Sequence, residues 1–104
     1  MDGITSIKYL QNYLKAKDSD ATAPAYFLKL SEEVGELAKA LRKGTRPCDT
    51  GSIKGTIDEE IWDVIYYAIT IANCFDIDIE AVIRKKEELN RIKYNSPIHF
   101  EENR

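Results

Sequence analysis

The stretch TIDEEIWDVIYYAITIA, residues 56–72, decides how the chain folds. Wound as an α-helix, it places Glu60, Asp63, Val64, Tyr67 and Ile71 along one stripe, while Ile61, Trp62, Ile65, Ile69 and Ala72 cover the opposite side. A helix that is apolar almost all round belongs in an interior, and a carboxylate placed there needs a partner for its charge. Glu60 and Asp63 are neighbours on the helix surface, three residues apart. At roughly 5 Å and an effective dielectric of about 20, two such charges repel by about 3 kcal/mol, and desolvation adds several kcal/mol per ion. A divalent cation would meet that cost, and raised pKa values with a shared proton would meet it too.

Upstream, residues 23–43 read as another helix, entered through Thr22 and Pro24 and stopped by Gly44, with Lys39, Arg42 and Lys43 suiting its negative end. Phe27, Leu30, Val34, Leu37 and Leu41 form its expected apolar stripe. Within it, Glu32-Glu33-Val34-Gly35-Glu36 repeats the pattern of an acid three residues before another. By itself this pair reads most simply as a charged, solvated face, with repulsion of about 0.2–0.5 kcal/mol. Glu32 points off the stripe, Glu33 lies at its edge, and Glu36 lies just beyond. Facing the acids of the later helix, Glu33 and Glu36 would complete a set of hard oxygen ligands of the kind that selects Mg²⁺ or Mn²⁺.

The remaining chain is helical as well, with no convincing strand and no repeat. Residues 4–17 carry Ile7, Leu10 and Leu14 at helical spacing and end at the polar run Asp18-Ser19-Asp20. Residues 44–55, rich in glycine, read as a loop. Helix 57–75 opens on Thr56-Ile57-Asp58-Glu59, a capping box in which Glu59 reaches back and Glu60 stays free. Asp78 caps helix 79–94, which is expected to turn Ile79, Val82, Ile83 and Leu89 inward, and residues 96–104 form a charged, aperiodic tail. On that last helix Lys86 and Asn90 share the apolar face. A lysine there commonly snorkels, but opposite an acidic metal cluster it reads as a counter-charge for phosphate oxygens. Tyr94, one turn beyond Asn90, is suited to stacking or hydrogen bonding, although packing is the commoner role.

Composition bounds the possibilities. A chain of 104 residues, 43% hydrophobic and 32% charged, reads as one domain, 1–104, with a core small enough to favour association. The net charge of −3 and pI near 5.2 provide no basic field, so polymeric nucleic acid is not an expected partner. Neither a signal-peptide pattern nor a spanning apolar run is present, which leads to the expectation of a cytoplasmic protein without a membrane partner. Cys48 and Cys74 form no CxxC and read as reduced thiols.

These residues resemble the signature of the MazG-like, all-α nucleoside triphosphate pyrophosphohydrolases, ExxE on one helix and ExxD on the next. Here the signature stands as Glu33-Val34-Gly35-Glu36 within LSEEVGELAKAL and Glu60-Ile61-Trp62-Asp63 within DEEIWDVIYYA. KKEELNRIKY is similar to the family's lysine, asparagine and tyrosine spacing, at Lys86, Asn90 and Tyr94. The resemblance implies a four-helix bundle assembled as a homodimer or homotetramer. It also implies Mg²⁺-dependent cleavage of (d)NTP to (d)NMP and pyrophosphate, with Mn²⁺ as a possible substitute. By matching positions, Glu33, Glu36, Glu60 and Asp63 would bind the metal, Lys86 and Asn90 would hold phosphate oxygens, and Tyr67 and Tyr94 would touch the nucleotide. Helix 57–75, apolar on both faces, is the natural interface. Relatives that read a pyrimidine place aromatic residues where this chain has Lys43 and the 15–20 segment, so no particular base is implied.

Other readings fare worse. A di-iron carboxylate bundle needs ExxH pairs, and the single histidine, His99, lies in the tail. The acids between Asp76 and Glu80 lack the glycine of a calcium loop. The serious rival is a non-catalytic helical module that binds nucleotides or a protein partner, disfavoured because all four acids and Lys86 occur together.

Overall fold

A computed structural model describes residues 5–100. The described residues are all-α, in the order α1 (Ile7–Lys17), α2 (Ala23–Lys43), α3 (Pro47–Thr50), α4 (Ile57–Cys74) and α5 (Ile79–Lys93). Four long helices are present near the expected spans, but α1 begins at Ile7, after the Ser6 cap, rather than at residue 4, and α4 and α5 each end one residue earlier than expected; Ile4 and 101–104 of the tail lie outside the described residues.

Each long helix starts on a side chain that accepts a backbone N–H: Ser6 from Tyr9, Thr22 from Ala25, Thr56 from Glu59 and Asp78 from Ala81. Pro24 sits in the first turn of α2, and Gly44 ends it in the left-handed region at φ 68°, where a side chain would be strained. The segment expected to be a plain loop contains the one-turn helix α3. Pro47 follows the N-cap Arg46, the Asp49 carboxylate accepts the Arg46 N–H at 3.2 Å, and Gly51 ends the turn. The capping of α4 also differs in detail from expectation. Glu59 Oε1 accepts the N–H of Gly55 at 2.7 Å rather than that of Thr56, because the Thr56 N–H already donates to the Ile53 carbonyl at 3.1 Å.

Packing centres on α2 against α4; α1 lies against α4, and α5 against α1. Gln11 pins α1 to the turn between α4 and α5. Its buried amide donates to Asn73 Oδ1 and the Ile77 carbonyl at 3.0 and 2.7 Å, and accepts the Ile79 N–H at 3.1 Å. The face of α2 turned toward α4 is offset from the expected stripe. Tyr26 and Ala40 are buried and Leu30, Glu33 and Leu37 half-buried, at heptad-like spacing, whereas Phe27, Val34 and Leu41 are each at least half exposed. Placing Glu33 inside this contact rather than at its edge rotates the helix by about one position.

Ile61, Trp62 and Ile65 on α4 are likewise open, as are Val82 and Leu89 of α5, which were expected to point inward. Among the described residues α5 packs mainly on α1, which leaves Val82, Leu89 and Ile92 exposed while Ile79 and Ile83 are half-buried. The radius of gyration, 16.3 Å, exceeds the about 13 Å of a compact chain of this size. No helix among the described residues is long and apolar enough to cross a membrane.

Candidate metal centre

The acids of the second and fourth helices meet where α2 and α4 pack. Oxygen atoms of Glu33, Glu60 and Asp63 all lie within 4.8 Å of one another. Helix geometry sets this up: Glu33 takes its turn in the row Tyr26, Leu30, Glu33, Leu37, Ala40, and Glu60 and Asp63 follow one another along the first turns of α4. Glu60 is only 7% exposed, and its Oε2 is buried without a hydrogen-bond partner. An orphaned buried carboxylate oxygen is costly, and beside two further carboxylates it is the position where a cation would relieve most energy. Glu36 is exposed; its charge is felt by both Glu33 and Glu60, but it is not one of the three converging groups.

In the absence of a cation, protons take up part of the strain. Burial is the largest cause, followed by a hydrogen bond to Asp63 and the charges of Asp63, Glu60 and Glu36, in pushing the Glu33 carboxyl up to about 7. Glu60 is also raised, by burial first and then by the charges of Asp63, Glu59 and Glu36, while its hydrogen bond with Glu33 works in the opposite direction. The sense is that a protonated Glu33 donates to its acidic neighbours. The donor set fits a divalent ion: hard oxygens, one of them unsatisfied, at the density such ions require.

Tyr67 stands beside this centre. Its hydroxyl is raised by burial and then by the charges of Asp18, Glu33, Asp63 and Glu32. Its ring lies 4.9 Å from that of Tyr66, edge to face, and 6.4 Å from that of Tyr26. The residues expected on the last helix are placed differently. Lys86 is exposed, and Asn90 and Tyr94 border a cavity of about 420 Å³ together with Glu87, Arg91, Ser96, Ile98 and Phe100. After burial, the charges that act on Glu33 and Glu60 are those of other carboxylates. Among the described residues, α2 and α4 gather Glu33, Glu60, Asp63 and Tyr67, while α5 carries Lys86 and Asn90, and Tyr94, its C-cap, lines the same cavity as Asn90.

Reading the sequence did not find the node at Asp18, which was taken only as part of a polar helix stop. Its carboxylate accepts the Tyr26 hydroxyl at 2.9 Å and the Tyr66 hydroxyl at 2.7 Å. The available signal was the YY pair at 66–67, which puts a hydroxyl toward α1 as well as one toward α2. Cys48 and Cys74 are free and exposed.

Comparison with known proteins identifies the family. Residues 21–91 match the MazG nucleotide pyrophosphohydrolase domain. The fold is similar to crystal structures of iMazG from Vibrio DAT 722. The Ntag form is 38% identical at a TM-score of 0.76, covering 88% of this chain and 99% of that one. The Ctag form is 37% identical at 0.74, covering 84% and 99%. An uncharacterized protein, YpjD of Bacillus subtilis (strain 168), is 36% identical over 58 residues, a match that takes in 54% of this chain and spans about half, 52%, of that protein. With the domain match running through both acidic motifs and the structural match covering 88% of this chain, the chain belongs to the MazG nucleotide pyrophosphohydrolase family.

Proposed function

We propose that the protein is a Mg²⁺-dependent nucleoside triphosphate pyrophosphohydrolase, converting (d)NTP and water to (d)NMP and pyrophosphate, with Mn²⁺ able to replace Mg²⁺. The observation that carries this reading is the buried, unpartnered Oε2 of Glu60 beside Glu33 and Asp63. Glu33, Glu60 and Asp63 would hold the ion, with Glu36 joining from its exposed position on α2. When bound, such an ion neutralises phosphate charge and lowers the pKa of water.

The chain's own groups do the rest. The carboxylates position the ion and supply an acceptor for the proton of the attacking water. Water adds at the α-phosphorus as the bond from that phosphorus to the bridging β-phosphate oxygen breaks, and the electron pair leaves with pyrophosphate. Tyr67, next to the acids, contacts the nucleotide. Lys86 and Asn90 hold phosphate oxygens and Tyr94 touches the nucleoside; because α5 packs on α1, their part belongs to an assembled homodimer or homotetramer. The exposed apolar residues of α2, α4 and α5 support such an assembly.

The test is a screen of canonical and modified NTPs and dNTPs with Mg²⁺ or with EDTA, assayed for pyrophosphate and orthophosphate. Pyrophosphate released only with the metal supports the proposal. Orthophosphate as first product would make the protein a phosphatase, and binding without turnover would make it a nucleotide-binding module.

A further inference from the structure

The aromatic residues beside the acidic centre are not packed at random. Asp18, the C-cap of α1, spends both carboxylate oxygens on tyrosine hydroxyls from different helices: Tyr26 on α2 at 2.9 Å and Tyr66 on α4 at 2.7 Å. The Tyr26 hydroxyl in turn accepts the Ala21 N–H at 3.1 Å, so the chain entering α2 is tied to the same node. Lys17 lies over the Tyr66 ring at 5.1 Å, and Trp62 packs on that ring edge to face at 5.9 Å. Between the clamped rings of Tyr26 and Tyr66 sits Tyr67. Its two neighbours have committed their hydroxyls to Asp18; the Tyr67 hydroxyl makes no hydrogen bond among the described residues. Tyr67 is thus held by its ring while its polar end is left available, in the field of Glu33 and Asp63. A hydroxyl with that combination of rigid seating and an unused donor is suited to a substrate oxygen.

We infer that Asp18 is a positioning residue: by clamping the hydroxyls of Tyr26 and Tyr66 it seats Tyr67 beside the Glu33–Glu60–Asp63 centre, so that the Tyr67 hydroxyl meets the nucleotide. Asp18 itself touches neither metal nor substrate. The inference rests on the nucleotide-hydrolase reading, and it extends that reading to a residue outside both acidic motifs. It predicts a dependence that packing alone would not create: the effect of changing Asp18 must pass through Tyr67.

The experiment is a double-mutant cycle on the full chain with Asp18→Asn and Tyr67→Phe. Its readouts are KM and kcat for the nucleotide turned over best, and Kd for the α,β-methylene analogues of the canonical NTPs and dNTPs in the presence of Mg²⁺. Asparagine keeps one acceptor and puts a neutral NH2 donor where the other carboxylate oxygen stood, so the charged clamp is weakened at one tyrosine. Each single variant is expected to weaken KM and Kd about tenfold, and the double variant to be no weaker than Tyr67→Phe alone, because coupled groups do not add. Tyr66→Phe, which removes one clamping hydroxyl and keeps the ring, gives the same pattern and serves if Asp18→Asn fails to fold. Losses that multiply in the double variant, or a lowered melting temperature with KM and Kd unchanged, would overturn the inference. Wild-type protein that binds the analogues without hydrolysing any nucleotide ends the hydrolase reading and leaves the cycle to be read through Kd. Wild-type protein that does neither overturns both.

Discussion

Two carboxylates at helix–helix contacts in this molecule meet opposite fates. Asp18 has a hydroxyl on each oxygen, and its charge is met within the protein. Glu60, buried between α2 and α4, has an oxygen with no partner and acids for neighbours. Asp18 is half-buried and Glu60 buried, so withdrawal of an acid from solvent carries no functional meaning alone. What separates them is satisfaction: the Asp18 node ties helices together through hydrogen bonds on both oxygens, whereas Oε2 of Glu60 has no hydrogen-bond partner among the described residues.

The contrast is sharpest in turnover. Glu60→Gln is expected to cut metal-dependent pyrophosphate release by about a hundredfold or more, since even partners one step removed from a metal typically cost 10–100-fold. Asp63→Asn should do the same. Asp18→Ala should show a different profile: metal affinity kept and nucleotide binding weakened only through Tyr67, with stability to denaturant lowered by about 3 kcal/mol because two tyrosine hydroxyls are left without a charged acceptor.

Acid titration breaks the comparison in a second way. Glu33, raised from the usual 4.5 to about 7, holds its proton in the folded protein at pH values where the unfolded chain has lost it. The folded state then binds more protons between those values, so its stability must fall as pH rises from about 4.5 to about 7, by roughly 2 kcal/mol in metal-free buffer. Glu60, raised too, acts in the same sense. An ordinary paired carboxylate stabilises in the reverse direction, and a metal-free protein that gains stability across this range would contradict the placement of Glu33. The smallest effect expected is at the start of α4. Thr56→Ala, which removes a fully buried cap, should cost about 1 kcal/mol by urea unfolding, with metal affinity little changed.

Helix identity was legible in the sequence because caps and stops coincide with period: Thr22 and Gly44 around α2, Thr56 before α4, Asp78 before α5. The acidic motifs were legible for the same reason, as i, i+3 pairs on those helices. What could not be read was rotation and partnership. Phe27, Val34 and Leu41 make as good an apolar stripe as the row that packs, and Tyr26, whose hydroxyl finds Asp18, is not an obvious core residue. Nor does an apolar stripe say what covers it: Val82 and Leu89 have the right period yet stay more than half exposed among the described residues. The one-turn α3 was hidden by glycines on either side of Pro47-Cys48-Asp49. Lys86 and Asn90 could be assigned a chemistry from their place on an apolar face, but not a distance from the acids.

The central claim is that Glu60 is a strained carboxylate awaiting a cation, and thermal melting of wild type and Glu60→Gln, each in EDTA and in Mg²⁺, tests it most directly. The amide removes one charge and offers a donor to Glu33 and Asp63, so the variant should melt higher than wild type in EDTA and gain little from Mg²⁺, while wild type gains clearly. A variant that melts lower than wild type in EDTA, or that gains as much from Mg²⁺, would contradict the account.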